Sequence, residues 1–278
     1  NGDPVKAAKE RRALERDYEV SKSFSSRNCF AVSIHAPYTV CKENMVWASK
    51  FAEEHDLLLH IHLSETEKEV IDAMNAWGCS PVEYCERLGI LSDRVIAAHS
   101  LWLSPDDIKI MGENGVTAVH NVNSNLKISS GYKFPMDELL AAGANVTLGT
   151  DGCGSSNNLD MLEALKTAAL LQKAWRKDPA AAPLDTLLKI GSENAARALR
   201  LNTGKIEEGR LADIVLIDMN NVWFTPNYDF EANLIYSANS SCVDTVICDG
   251  RIIMRGRKVE GEQEILDNAA ARGERLMA

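Results

Sequence analysis

The chain has 278 residues, 45% hydrophobic and 25% charged, with 30 Lys+Arg against 40 Asp+Glu and a net charge of −10. That length fits one large domain, or one large and one small, with apolar residues enough for a real core. The negative charge is spread along the chain without Lys/Arg clusters, which argues against nucleic acid and anionic membranes as partners, and no apolar run reaches the roughly 18 residues of a membrane span.

The first segment, "NGDPVKAAKERRALERDYEVSKSF", has neither an initiator Met nor an apolar signal stretch and reads as a polar, exposed helix entered in mid-course. Upstream sequence is therefore expected. The seven cysteines (Cys29, Cys41, Cys79, Cys85, Cys153, Cys242, Cys248) are scattered, odd in number and free of any CxxC pair, so a reduced, cytoplasmic protein is expected.

Five segments then share one design, an aliphatic or β-branched run ending in a polar residue and a loop. They are "FAVSIHAPYTV" (30–40), "LLLHIHLSE" (57–65), "RVIAAHS" (94–100), "GVTAVHNVNS" (115–124) and "NVTLGTDG" (145–152). Helical patterns separate them: "KENMVWASKFAEEH", "TEKEVIDAMNAWG", "SPDDIKIMGENG" and "FPMDELLAAGA". In "SPDD", Ser104 reads as an N-cap with Pro105 at the first helical position and acids in the first turn. Strand and helix alternating at this spacing predict a parallel α/β sheet, and near-continuous apolar strands predict burial on both faces. Two further helices are expected at 157–175 and 183–199. After residue 200 the texture changes to short strands, "TGKIEEGRLADIVLIDM" and "VDTVICDGRIIMRGRKVEG", with turns at Thr203-Gly204, Glu208-Gly209 and Asp249-Gly250. The expected organisation is an α/β barrel portion over 1–200, part of a small β domain over 201–261 and a closing helix over 262–278.

The unusual polar residues stand at the strand ends: His35, His62 with Glu65, His99, His120 and Asp151. Loops at the C-terminal ends of barrel strands converge on one mouth, which would make neighbours of them. A doubly wound sheet would also bind ligands at strand ends, but the glycine-rich phosphate loop of that fold is missing, which favours the barrel. His60 and His62, two apart on one strand, share a face. His62 lies nearest the mouth, whereas His60 can equally be a hydrogen-bonded core histidine. Thr-Asp-Gly at Asp151 is also ordinary turn chemistry, and His120 is open to either a structural or a functional reading. His55 reads as a solvated helix residue.

In this order, "HLSE", "AAHS", "HNVNSNLK" and "GTDG" resemble the amidohydrolase superfamily, with a (β/α)8 TIM barrel and a small β-sandwich domain. "SIHAPYTV" and "TGKIEEGRLADIVLID" are similar to the aminohydrolase branch that includes 5-methylthioadenosine/S-adenosylhomocysteine deaminase. The resemblance covers essentially the whole chain. It implies that His62 and Asp151 are metal ligands, that Asp151 is also the general base, and that Glu65 shuttles a proton to a ring nitrogen of the substrate. It also implies that His99 steadies the attacking water or the oxyanion and that His35 contacts a bound nucleoside, with Arg11 or Arg12 a loose match for an arginine that holds a substrate carboxylate. One element of the pattern is missing, the first-strand His-x-His that completes the metal site, so the chain is expected to be a C-terminal portion lacking barrel strands one to three.

The implied activity is hydrolytic deamination of 5-methylthioadenosine, S-adenosylhomocysteine or adenosine, with one divalent metal, Zn2+ before Fe2+ or Mn2+, and a possible homo-oligomer. The alternatives are guanine deaminase, a triazine chloro- or aminohydrolase, or a non-catalytic scaffold of the same fold.

Overall fold

The computed structural model describes residues 3–25 and 27–277. The chain divides into two compact units, Asn1–Leu201 and Asn202–Ala278.

In the first unit, five strands pair in parallel and lie side by side in chain order: β1 (Ala31–Ile34), β2 (Leu58–Leu63), β3 (Val95–His99), β4 (Thr117–His120) and β5 (Asn145–Leu148). The helices are α1 (Pro4–Ser21), α2 (Lys42–Glu54), α3 (Glu67–Trp77), α4 (Pro81–Arg87), α5 (Pro105–Glu113), α6 (Val122–Lys127), α7 (Met136–Ala141), α8 (Cys153–Ser156), α9 (Met161–Arg176), α10 (Leu184–Ile190) and α11 (Glu193–Ala198). Alternation fixes which side chains of a strand enter the core. Leu59, Ile61 and Leu63 of β2, with Val32 and Ile34 of β1, are almost wholly buried, as are Met45, Phe51, Val82 and Met111 of the helices. Full burial of a side chain of this size contributes about 1.5–3 kcal/mol.

The expected strands all form, but the opposite face departs from the expectation of burial on both sides. Ala31 and Ser33 are exposed, and Leu58, His60 and His62 are half-buried. Only β5 is buried along its whole length. There α10 and α11 pack against the strand, Asn194 Nδ2 donating to the Val146 carbonyl and Thr147 Oγ1 to that of Ile190.

Three helical details also differ. The helix expected over 183–199 is two, because Ser192 leaves the helical basin (φ −138°, ψ −84°) just after Gly191. Glycine is a weak helix former, and the Ser192 hydroxyl competes by donating to the Leu188 carbonyl. The additional helix α4 opens with a capping box, Ser80 with Glu83, and Pro81 in its first turn. The matching box of α5, Ser104 with Asp107, is joined to it where Ser80 Oγ donates to the buried Asp107 carboxylate. Finally, the Asn-rich stretch after β4 coils into α6.

The second unit holds an antiparallel sheet of β6 (Ile214–Ile217), β7 (Val243–Cys248) and β8 (Arg251–Met254) in that order. Asp249 (φ 50°) and Gly250 (φ 72°) both take positive φ between β7 and β8, the requirement of a two-residue hairpin turn matched to strand twist. A helix over Glu262–Met277 follows, exposed throughout. Among the described residues no helix is long and apolar enough to cross a membrane.

Candidate active site

The site is built where β1, β2, β3 and β5 end. His62, the fifth residue of β2, receives a second anchor from β1: its backbone N–H donates to the His35 carbonyl at 3.1 Å, and its Nδ1 lies 2.6 Å from the same oxygen. A carbonyl only accepts, so Nδ1 carries the proton and Nε2 keeps its lone pair free. The His35 ring stands 5.1 Å from that of His62, with its own Nδ1 2.7 Å from Thr39 Oγ1. His60 sits half-buried and edge-on to His62 at 5.7 Å, on the open face rather than in the closed core.

Register alone would send His99 elsewhere. It pairs with Leu63, whose side chain faces the helices, whereas Ala98 pairs with His62. Yet the imidazole of His99 stacks on that of His62, centroids 5.4 Å apart, and its Nε2 lies 3.8 Å from Glu65 Oε2. The backbone explains the difference: His99 has φ 74° and Ser100 φ 48°, a left-handed turn that re-aims the side chain. Ser64 (φ 51°) and Asp151 (φ 61°) do the same at the ends of β2 and β5. Such backbone costs a non-glycine residue of the order of 1–3 kcal/mol and persists where surrounding bonds dictate it. Here they do. The Ser64 carbonyl accepts from Leu101 and Trp102, and the buried Glu69 carboxylate accepts from the N–H groups of Ser64 (3.0 Å) and Glu65 (2.7 Å). Gly149, just past β5, permits close approach to the end of β4, since a Cβ there would strike the Asn121 amide and the Val119 side chain.

Asp151 accepts from Ser124 Oγ at 2.6 Å and from the Gly152 N–H at 2.7 Å. Burial pushes its carboxyl upward, but these two donors and the nearby His99 outweigh it and hold the pKa below the ordinary value. Glu65 moves the other way, raised by burial and further by Asp151 against the pull of His62. Burial, then the neighbouring His62, depresses His99 to about 4, so its ring is neutral at ordinary pH. Two carboxyl groups with opposed environments are the arrangement that separates an acid from a base.

His120 stands apart. By register it shares the helix-facing side with Ala118, and it lies fully buried, stacked on Phe134 at 4.3 Å with neither ring nitrogen bonded among the described residues. His55 is exposed at the end of α2, its ring against Phe51 and Tyr18. Arg11 reaches the Glu43 carbonyl, Asn44 Oδ1 and the face of Trp47, lining a cavity of about 410 Å³ with His35 and Thr39. Arg12 takes no part there. Sequence reasoning passed over Thr39, Glu69, Ser124 and Asn125. All four lie in the segments "SIHAPYTV", "TEKEVIDAMNAWG" and "HNVNSNLK", where a polar residue is indistinguishable from a solvated one.

The donor set bears on a metal. His62 offers one free imidazole nitrogen and Asp151 one carboxylate, but among the described residues no three His, Cys, Asp or Glu side chains gather as a metal-holding group. A mononuclear zinc site takes three protein ligands and water, so these two fit one side of such a site.

An α/β sheet with histidines and an acid at successive strand ends defines a class, and the chain belongs to the amidohydrolase family, whose model matches residues 2–253. It is similar to 5'-deoxyadenosine deaminase of Methanoregula boonei (41% identity over 99% of this chain and 63% of the relative). It also resembles 5-methylthioadenosine/S-adenosylhomocysteine deaminase of Thermococcus kodakarensis (44% over 91% and 60%). Among solved structures, a zinc-bound adenosine deaminase from Xanthomonas campestris superimposes with TM-score 0.91 at 32% identity, over 96% of this chain and 61% of that one. A zinc complex of atrazine chlorohydrolase from Arthrobacter aurescens gives 0.85 at 25%, over 94% and 59%. The chain thus spans about three fifths of the length of these relatives.

Proposed function

We propose that the whole protein is a metal-dependent hydrolytic deaminase of adenosine-type nucleosides (5'-deoxyadenosine, 5-methylthioadenosine, S-adenosylhomocysteine or adenosine), releasing ammonia and the inosine analogue. The observation that carries the reading is convergence: His62, Glu65, His99 and Asp151 come from three different strand ends. The His62 and His99 rings stack 5.4 Å apart, His99 Nε2 lies 3.8 Å from Glu65 Oε2, and the Asp151 charge acts on both Glu65 and His99. Similarity of 41–44% to deaminases of such nucleosides, against 25% to the chlorohydrolase, supports the substrate class.

His62 Nε2 and Asp151 would hold a divalent cation, zinc by analogy with the neighbours, together with ligands outside this set. A bound divalent cation makes a water acidic enough to attack near neutral pH. Asp151, held as carboxylate by Ser124 and Gly152, takes the proton of the attacking water. Glu65, whose carboxyl pKa is raised by burial, gives a proton to the ring nitrogen beside the carbon that bears the amino group, so charge does not build up in the heterocycle. His99 donates from Nε2 to the oxygen becoming bonded to that carbon. Asp151 passes the water's proton to the amine, which leaves as ammonia, and the hydroxyl left on the carbon returns its proton to Glu65. His35, exposed at the end of β1, contacts the nucleoside. A leaving amine must be protonated and a leaving chloride need not be, so a site with two proton-carrying carboxyl groups, Glu65 and Asp151, suits expulsion of an amine.

The test is ammonia release by the whole zinc-loaded protein from the four nucleosides, guanine and atrazine. Turnover of an adenosine-type nucleoside above the others is expected. Turnover confined to guanine or the triazine, or none at all, would overturn the reading.

A further inference from the structure

Asn125 is 1% exposed, in the last turn of α6, and nothing in the reaction just described uses it. Its Nδ2 lies 2.8 Å from His99 Nδ1 and 2.9 Å from Ser130 Oγ. Its backbone carbonyl accepts from the Ser130 N–H at 3.0 Å, so Asn125 and Ser130 grip one another twice. Ser129, at φ 58°, turns the chain back to make this possible. The Ser130 carbonyl in turn accepts from Trp102 Nε1 at 2.7 Å, and a side chain on Gly131 would meet that nitrogen at 2.9 Å. The amide is therefore held by a closed set of bonds between α6, the following loop and the segment after β3.

We propose that Asn125 is the positioning residue that fixes the tautomer of His99, donating to Nδ1 so that the ring proton stands on Nε2, the nitrogen turned toward Glu65. The assignment follows from counting donors and acceptors. With Nδ2 toward His99 and Ser130, both amide hydrogens are used and a single acceptor, Oδ1, is left without a partner. With the amide reversed, Oδ1 would accept from His99 and Ser130 while both hydrogens stayed buried and unused. Each buried unsatisfied polar group costs about 1–3 kcal/mol, so one orphan is preferred to two. The first arrangement requires a lone pair on Nδ1, and a neutral imidazole then carries its proton on Nε2. Resting on the reading above, this makes His99 a hydrogen-bond donor, not an acceptor, at the reacting oxygen.

The test is long-range 1H–15N NMR on the zinc-loaded whole protein labelled with 15N-histidine, the His99 signals assigned by their loss in His99→Gln. The wild type is expected to show His99 as the Nε2–H form, and Asn125→Asp, whose carboxylate accepts only, to move the proton to Nδ1. Finding the Nδ1–H form in the wild type overturns the proposal, whether or not Asn125→Asp folds. An unchanged Nε2–H form in a folded Asn125→Asp also overturns it. In kinetics, Asn125→Asp is expected to lower kcat by roughly 10²–10⁴-fold, as other wrong-tautomer histidines do, with KM within about threefold. Ammonia release with the opposite tautomer would leave the deaminase reading standing and remove only Asn125. The expected tautomer with no ammonia release from any nucleoside would do the reverse.

Discussion

His62 donates a hydrogen bond from Nδ1–H to the backbone carbonyl of His35, 2.6 Å away and one residue past the end of the neighbouring strand. The ring is oriented by main chain rather than by a side chain, and its free Nε2 direction is set by the pairing of β1 with β2. Substitution of His35 should therefore leave the His62 geometry intact. Titration of the whole protein with Zn2+ against a chromophoric chelator should show His62→Ala weakening binding by more than tenfold. His35→Ala should fall short of the roughly 10–100-fold that loss of an orienting partner costs.

Glu65 carries a different expectation. It is tied to Glu69 through its own backbone N–H, not through its carboxylate, so Glu65→Gln keeps the loop and removes only the acid. Ammonia release should fall by roughly 10²–10⁴-fold, the contribution of a placed proton donor, with zinc content unchanged by elemental analysis. Retained turnover would take Glu65 out of the chemistry.

The orphaned imidazole of His120 predicts a stability effect with a definite sign. Burial, then the nearby His99, depresses its pKa to about 3. The unfolded chain therefore takes up a proton near pH 6.5 that the folded chain refuses, and stability is complete above that pH and lost as pH falls toward 3. The loss is at most about 1.4 kcal/mol for each pH unit below 6.5. In His120→Leu, urea denaturation at pH 7 and pH 4.5 should show a smaller fall than in the wild type.

Arg176, 17% exposed, pairs with Glu138 through two bonds, one of 2.9 Å and one of 2.5 Å, and packs over Trp175. The guanidinium holds the Glu138 carboxyl below its ordinary pKa, so the pair stabilises the fold above the unfolded carboxyl's titration and the gain disappears as pH falls through the folded value. Glu138 is 45% exposed, and solvent screening limits the effect of Glu138→Gln at pH 7 to about 1 kcal/mol or less. Denaturation midpoints of wild type and variant should draw together by pH 3.

The apolar runs ending at His35, His62, His99, His120 and Asp151 made the strands and their order legible, because a buried parallel strand needs such a run and little else. Which of those residues share a pocket was less so. His120 and His99 look alike in sequence, "TAVH" and "IAAH", and both fall on the helix-facing side by register. Only the left-handed backbone at His99 and Ser100 carries one of them round to His62, and no side-chain pattern encodes that turn without a glycine. Ser124 and Asn125 escaped notice for a related reason: their neighbours in "NVNSNLK" are chemically equivalent, and burial alone separates them. The open face of β1 and β2 was hidden because Leu58, Ala31 and Ser33 read equally well as covered or uncovered residues.

The left-handed residues Ser64, His99 and Asp151 bear on how this chain can be engineered. Glycine would adopt those angles freely, so a search for thermostabilising substitutions guided by backbone conformation alone would return glycine at all three. At two of them the gain in heat tolerance would delete an imidazole or a carboxylate from the pocket. Ser64 is the exception: its hydroxyl is buried without a partner among the described residues, leaving it the one position of the three where relaxation and function do not compete.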